Sequence, residues 1–196
     1  MIDETSYKII LGEFKRNNKI LKAEKPKLLD FKILRIGRNF KINYSWSLEE
    51  LPIVRIISID NSFVSGPPKP TSNYSGIVNF KTFCCLITTK YCFEDSLIRE
   101  KELGEKLIQI FKTGKNKIDG HDYLNKKYEV ETNEEFKFIN WIVTYNIEEI
   151  FKSYPESEIE FKQNELLIYF NQALQDYSQI QRLVNIAKLL KNKNAI

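Results

Sequence analysis

The chain has 196 residues and a mass of 23.2 kDa, with 42% hydrophobic and 29% charged residues but only 7 Gly and 6 Pro. That composition excludes a disordered polymer and a large multidomain machine; it sets the expectation of a single compact domain over 1–196, or of two packed halves, 1–93 and 94–196. The net charge of +4 is weaker than the strong basicity of a dedicated nucleic-acid binder.

Taken in chain order, the first ninety or so residues read as strands. Residues 7–14 and 19–23 flank the turn-prone Arg16-Asn17-Asn18 and predict a hairpin. Residues 28–36 and 40–46 flank Gly37-Arg38-Asn39 and predict a second. In the latter strand a period of two puts Phe40, Ile42, Tyr44 and Trp46 on one face, with Lys41, Asn43 and Ser45 on the other. Pro52 interrupts the chain before another β-branched run, 53–59. Residues 61–76, with Gly66, Pro67, Pro68, Pro70 and four serines, predict a long loop or protruding contact arm. Residues 77–93 then return as one or two buried strands.

The period changes to about 3.6 in the second half. A helix is predicted from residue 94 or 95 to about 112, with Leu103, Leu107, Ile110 and Phe111 inward and Gly114 ending it. A polar connection, 115–122, leads to a short strand over 127–131. Thr132 and Glu135 form a capping-box pattern for a helix carrying Phe136, Ile139, Val143, Ile147, Ile150 and Tyr154 inward and stopping before Pro155. Residues 159–161 and 166–170 predict a hairpin around Gln163-Asn164, and Asp176 caps a last helix over 177–190. The fold class is therefore α+β: an N-terminal antiparallel β-rich half, then a helix and a strand-helix-hairpin-helix unit packed on a sheet.

The chemistry-bearing residues are few. Cys84, Cys85 and Cys92 lie in one apolar stretch without a Cys-x-x-Cys, which predicts buried free thiols and leaves a one-chain zinc site without ligands. A vicinal redox pair, Cys84-Cys85, is the sharper alternative, and adjacent cysteines form strained disulfides. The single histidine, His121, sits in Asp119-Gly120-His121-Asp122, which reads first as an exposed turn. Paired acids at Glu49-Glu50, Glu134-Glu135 and Glu148-Glu149 are accounted for by caps and solvated faces. No nucleophile elbow, P-loop or dinucleotide-binding glycine pattern occurs, so the sequence implies no cofactor, no metal and no named reaction. Asp3 and Glu4 follow Met1-Ile2 directly and no apolar run approaches the ~20 residues of a membrane span, which predicts a soluble cytoplasmic chain.

The charge distribution is less even than its total. Residues 1–41 hold eleven basic and five acidic residues, a local +6, and the remaining 155 carry −2. Interleaved with aromatics, this part (Phe14, Lys15, Arg16, Phe31, Lys32, Arg35, Arg38, Phe40, Lys41 and Tyr44) has the composition of a base-stacking, phosphate-pairing surface. The same alternation builds an ordinary core with a basic exterior. The expected function is a non-catalytic protein-protein interaction or assembly component, its partner unknown, making contact through Pro67, Pro68, Lys69 and Tyr74 of the loop and through Arg35 and Arg38. The alternative is a nucleic-acid-binding protein using the basic N-terminal strands.

Overall fold

The computed structural model describes residues 3–26, 28, 31–35, 38–65, 76–101, 118–170 and 172–196. They form a mixed α+β structure around one antiparallel sheet of six strands: β1 (Ile20–Lys22), β2 (Arg38–Leu48), β3 (Leu51–Ser65), β4 (Gly76–Glu100), β5 (Tyr128–Glu131) and β6 (Ser157–Phe170). The strands run in the order β1-β2-β3-β4-β5, and β6 pairs with β4. The described helices are α1 (Glu4–Asn17), α2 (Lys32–Arg35), α3 (Asp122–Lys127), α4 (Glu135–Thr144), α5 (Ile147–Ser153) and α6 (Tyr177–Asn192). None of them is long and apolar enough to cross a membrane.

Each face of the sheet has its own hydrophobic cluster. The larger joins Tyr7, Ile10 and Phe14 of α1 to the inward sides of α4, α5 and α6, and centres on Phe93, Phe138, Trp141 and Phe161. The rings of Phe93 and Phe161 meet at 4.8 Å and those of Trp141 and Phe161 at 5.0 Å, both edge to face. The smaller cluster sets Leu28, Phe31, Ile33 and Leu34 against Ile57, Ile59, Cys84, Leu86, Leu97, Leu167 and Tyr169.

Several sequence expectations are corrected. Residues 7–14 are helical, because Asp3 caps the segment by accepting the Ser6 N–H at 2.8 Å and the buried positions 7, 10 and 14 recur at helical spacing. The predicted first hairpin is therefore absent, and β1 pairs with Trp46–Leu48 of β2. The strand expected over 28–36 includes a short helix, α2, and Arg38 and Asn39 belong to β2. Residues 61–65 are strand, paired from Asn61 with Phe80 to Ser65 with Gly76; of the loop expectation, 66–75 lie outside the described residues.

Residues 94–100 are not helical. They continue β4, with Leu97 and Ile98 buried in opposite clusters as a period of two requires; positions 102–112 of that expected helix lie outside the described residues. Thr132 accepts the Glu134 N–H at 3.0 Å without a capping box, and the long helix expected after it breaks at Asn146, whose φ of 48° is left-handed. The predicted second-half hairpin is one strand, β6: Leu166–Tyr169 pair with Cys84–Ile87 and Ile159–Phe161 with Ser96–Ile98. Irregularities between Thr88 and Ser96 absorb the extra residues on β4 instead. Asp176 caps α6 as predicted, accepting the Ser178 N–H at 2.8 Å.

Candidate functional site

The predicted alternation of β2 fails at one residue, and that failure builds a cleft. Ile42 faces Ile59 and Tyr44 faces Ser58, so Asn43 is an extra residue on β2. Phe40 and Ile42 accordingly pack on the smaller cluster, whereas Trp46 and Leu48 belong to the larger one. Beyond the bulge Tyr44 stacks on Trp46 at 5.5 Å, and Trp46 meets Phe14 edge-on at 5.9 Å. Trp46 is buried, while Tyr44 remains 50% exposed.

Around these rings the last turn of α1, strand β1 and residues 23–25 enclose a cleft of about 610 Å³, open to solvent and lined by Lys15, Ile20, Lys22, Ala23, Glu24, Lys25 and residues 43–46. Lys15, Lys22 and Lys25 are exposed, and the Lys15 ammonium lies 5.9 Å from the Trp46 ring centroid. Beside the cleft runs the outer edge of β2. β1 covers Trp46–Leu48, and the Ala23 N–H donates to the Ser45 carbonyl at 3.0 Å. Among the described residues no strand lies outside Arg38–Tyr44.

The contact residues singled out from sequence lie at the limits of the described part or beyond it. Arg35 ends α2 and Arg38 begins β2, with their side chains outside the described part; Pro67, Pro68, Lys69 and Tyr74 lie wholly outside it. Of the basic-aromatic set, Lys15 and Tyr44 meet in the cleft, but Phe14 and Phe31 are core residues of opposite clusters. The cleft residues that sequence reasoning missed as a site are Lys22, Lys25 and Trp46. No local signal unites them, because the bulge and the docking of α1 bring them together.

Elsewhere the vicinal thiols are packed into the two cores. Cys84 and Cys85 lie in opposite clusters, on opposite faces, which removes the vicinal pair; burial raises both thiols well above their ordinary range. Cys92 is exposed, against the expectation of burial. Asp119-Gly120 does form a turn, with Gly120 at φ 78°, but the His121 side chain is only 12% exposed. Its Nδ1 lies 3.3 Å from Glu148 Oε2, unaligned for a hydrogen bond. The other Glu148 oxygen accepts the N–H groups of Tyr123 at 2.9 Å and Leu124 at 3.2 Å, and Lys152 donates to Oε2 at 3.2 Å. Burial alone would raise the Glu148 carboxyl, but these donors hold it below the ordinary glutamate range. Among the described residues no three His, Cys, Asp or Glu side chains gather as a metal site.

No protein-family model matches this chain, and no curated protein or solved structure matches it either.

Proposed function

We propose that this chain is a non-catalytic protein-protein interaction or assembly component that takes an extended segment of its partner along the outer edge of β2. One observation carries the reading: Arg38–Tyr44 have no described strand outside them, and the edge runs directly into a cleft with a half-exposed tyrosine. An open strand edge offers unpaired N–H and C=O groups to an incoming strand, and a neighbouring pocket supplies side-chain selection.

Selection of dodecapeptides from a random library on the immobilised full chain tests it. Selected peptides are expected to slow amide exchange in residues 38–46 and to lose binding when alternate backbone nitrogens are methylated, since only one phase of a strand donates to the edge. Binding that is indifferent to methylation, or protection confined to other residues, would overturn it.

A second reading, single-stranded nucleic acid held on Tyr44, is favoured by the lysines of the cleft. It has less support, because burial of Phe14, Phe31 and Trp46 leaves Tyr44 as the one exposed ring of the cleft. A gel shift with an oligothymidylate that weakens steeply with salt would promote it.

A further inference from the structure

Resting on the edge reading above, we infer that the partner segment is acidic and seats an aromatic or large aliphatic side chain against Tyr44. The charge of the cleft is the first ground. Lys15, Lys22 and Lys25 line it from three successive parts of the chain, and Glu24 is the single acid among the lining residues. All three lysines are exposed, so each can turn its ammonium toward an incoming carboxylate without moving the backbone. A basic segment laid there would meet a net excess of two positive charges at short range, which disfavours it.

The walls are the second ground. A volume of about 610 Å³ falls in the usual range for a small-molecule cleft, roughly 300–1,000 Å³, and so has room for one large side chain. Trp46 is already sealed against Phe14, so it forms the floor and offers little surface of its own. Tyr44 lies over that floor with half its surface in water, and covering it removes apolar area while the phenol keeps a polar rim to bond. A carboxylate-rich strand with one bulky apolar residue meets both requirements.

The experiment takes the peptides enriched on the full chain, synthesises the strongest, and pairs it with a counterpart in which each Asp or Glu is Lys. The acidic member is expected to bind about tenfold more tightly at low salt, and the preference should shrink as surface charges are screened. Tyr44→Ala should weaken it about tenfold without altering the far-ultraviolet spectrum. The triple variant Lys15→Glu, Lys22→Glu, Lys25→Glu should invert the preference; these side chains are exposed, and a circular dichroism melt confirms that the fold is kept. Enriched peptides that protect 38–46 but carry no acidic bias, or that ignore the charge reversal, would sink this inference while leaving the edge reading in place. Failure to enrich any peptide, or protection elsewhere, would sink both. An oligothymidylate that displaces the peptide and protects the same residues would replace the acidic segment with nucleic acid.

Discussion

The two faces of the sheet are closed by the same device under opposite conditions. On the larger face Glu148 accepts two backbone N–H groups at the start of α3; on the smaller, Glu160 of β6 accepts those of Lys32 and Ile33 at the start of α2, both at 2.8 Å. Each carboxylate thereby fastens a short helix that could not persist alone. Glu148, however, has Lys152 at 3.2 Å and keeps a little solvent, whereas Glu160 is fully buried. Burial outweighs the two N–H groups and Lys32 at Glu160, raising its carboxyl above the ordinary range, while the donors win at Glu148 and lower it. Two backbone N–H donors thus accompany opposite titration, and the balance between desolvation and the added Lys152 ammonium sets the sign.

The largest effect that would test the division into two faces is in the cores. Phe161→Ala, in the middle of the four-ring cluster, should cost about 3–5 kcal/mol, a large share of the stability of a domain this size, read as the shift of a urea melt. Phe31→Ala should cost less, nearer about 3 kcal/mol, because among the described residues α2 packs chiefly on β2 and β6 and can settle into the space. Its signature should be faster amide exchange in residues 31–35 before the rest of the chain opens. Equal costs and global exchange in both variants would show that the two clusters melt as one.

The carboxylates come next. Glu148→Gln should cost about 1–3 kcal/mol at neutral pH, since it removes a charge that Lys152 and two N–H groups favour. For a folded-state value held below 4.5, the stabilisation is complete above that pH and is lost as pH falls through the lowered value. Glu160 has the reverse sign. Its folded value lies above 4.5, so its contribution is greatest below 4.5 and declines as pH rises through the raised value. Urea melts of the wild type and both variants from acid to neutral pH check this: the cost of Glu148→Gln should grow with pH and that of Glu160→Gln should shrink. Parallel profiles would break the comparison.

A smaller effect separates caps made locally from those made at a distance. Asp176→Ala should cost about 1 kcal/mol, measured by thermal melt, as for other N-cap replacements. This cap was legible in the sequence because Asp176 and Ser178 are neighbours. The caps of α2 and α3 were not, since Glu160 lies 127 and 128 residues from its donors and Glu148 lies 24 and 25 from its own. The same distinction runs through the fold. The α+β class and the apolar face of α6 follow from local period, as does the β2 strand up to its bulge. Whether residues 159–170 turn or continue depends on β4 taking up the extra residues, and the face of Tyr44 depends on the single inserted Asn43. The cleft was only faintly visible: Lys15 and Tyr44 were two of ten residues in a basic-aromatic set, and their meeting with each other and with Lys22 and Lys25 is a product of tertiary docking.

The smallest expected effect discriminates most sharply between period and packing on the larger face. A stripe through Phe136, Ile139 and Val143 fits a helix as well as one through Phe138, Trp141 and Ile142, because six of the ten residues of α4 are apolar and spread over more than one side. The break at Asn146 decides between them. With a left-handed residue there, α5 need not continue the phase of α4, and the inward stripe of α5, Ile147, Ile150 and Phe151, no longer constrains which side of α4 is buried. Trp141 then turns inward, where its indole N–H donates to the Ala195 carbonyl at 3.0 Å, and Phe136 is left 88% exposed. Phe136→Ser should therefore change stability by less than about 0.5 kcal/mol, whereas Phe138→Ser, two residues on, should cost several times as much in the same urea melt. A large loss at Phe136 would mean that the face is covered in solution, and the continuous stripe read from the sequence would regain its claim to the core.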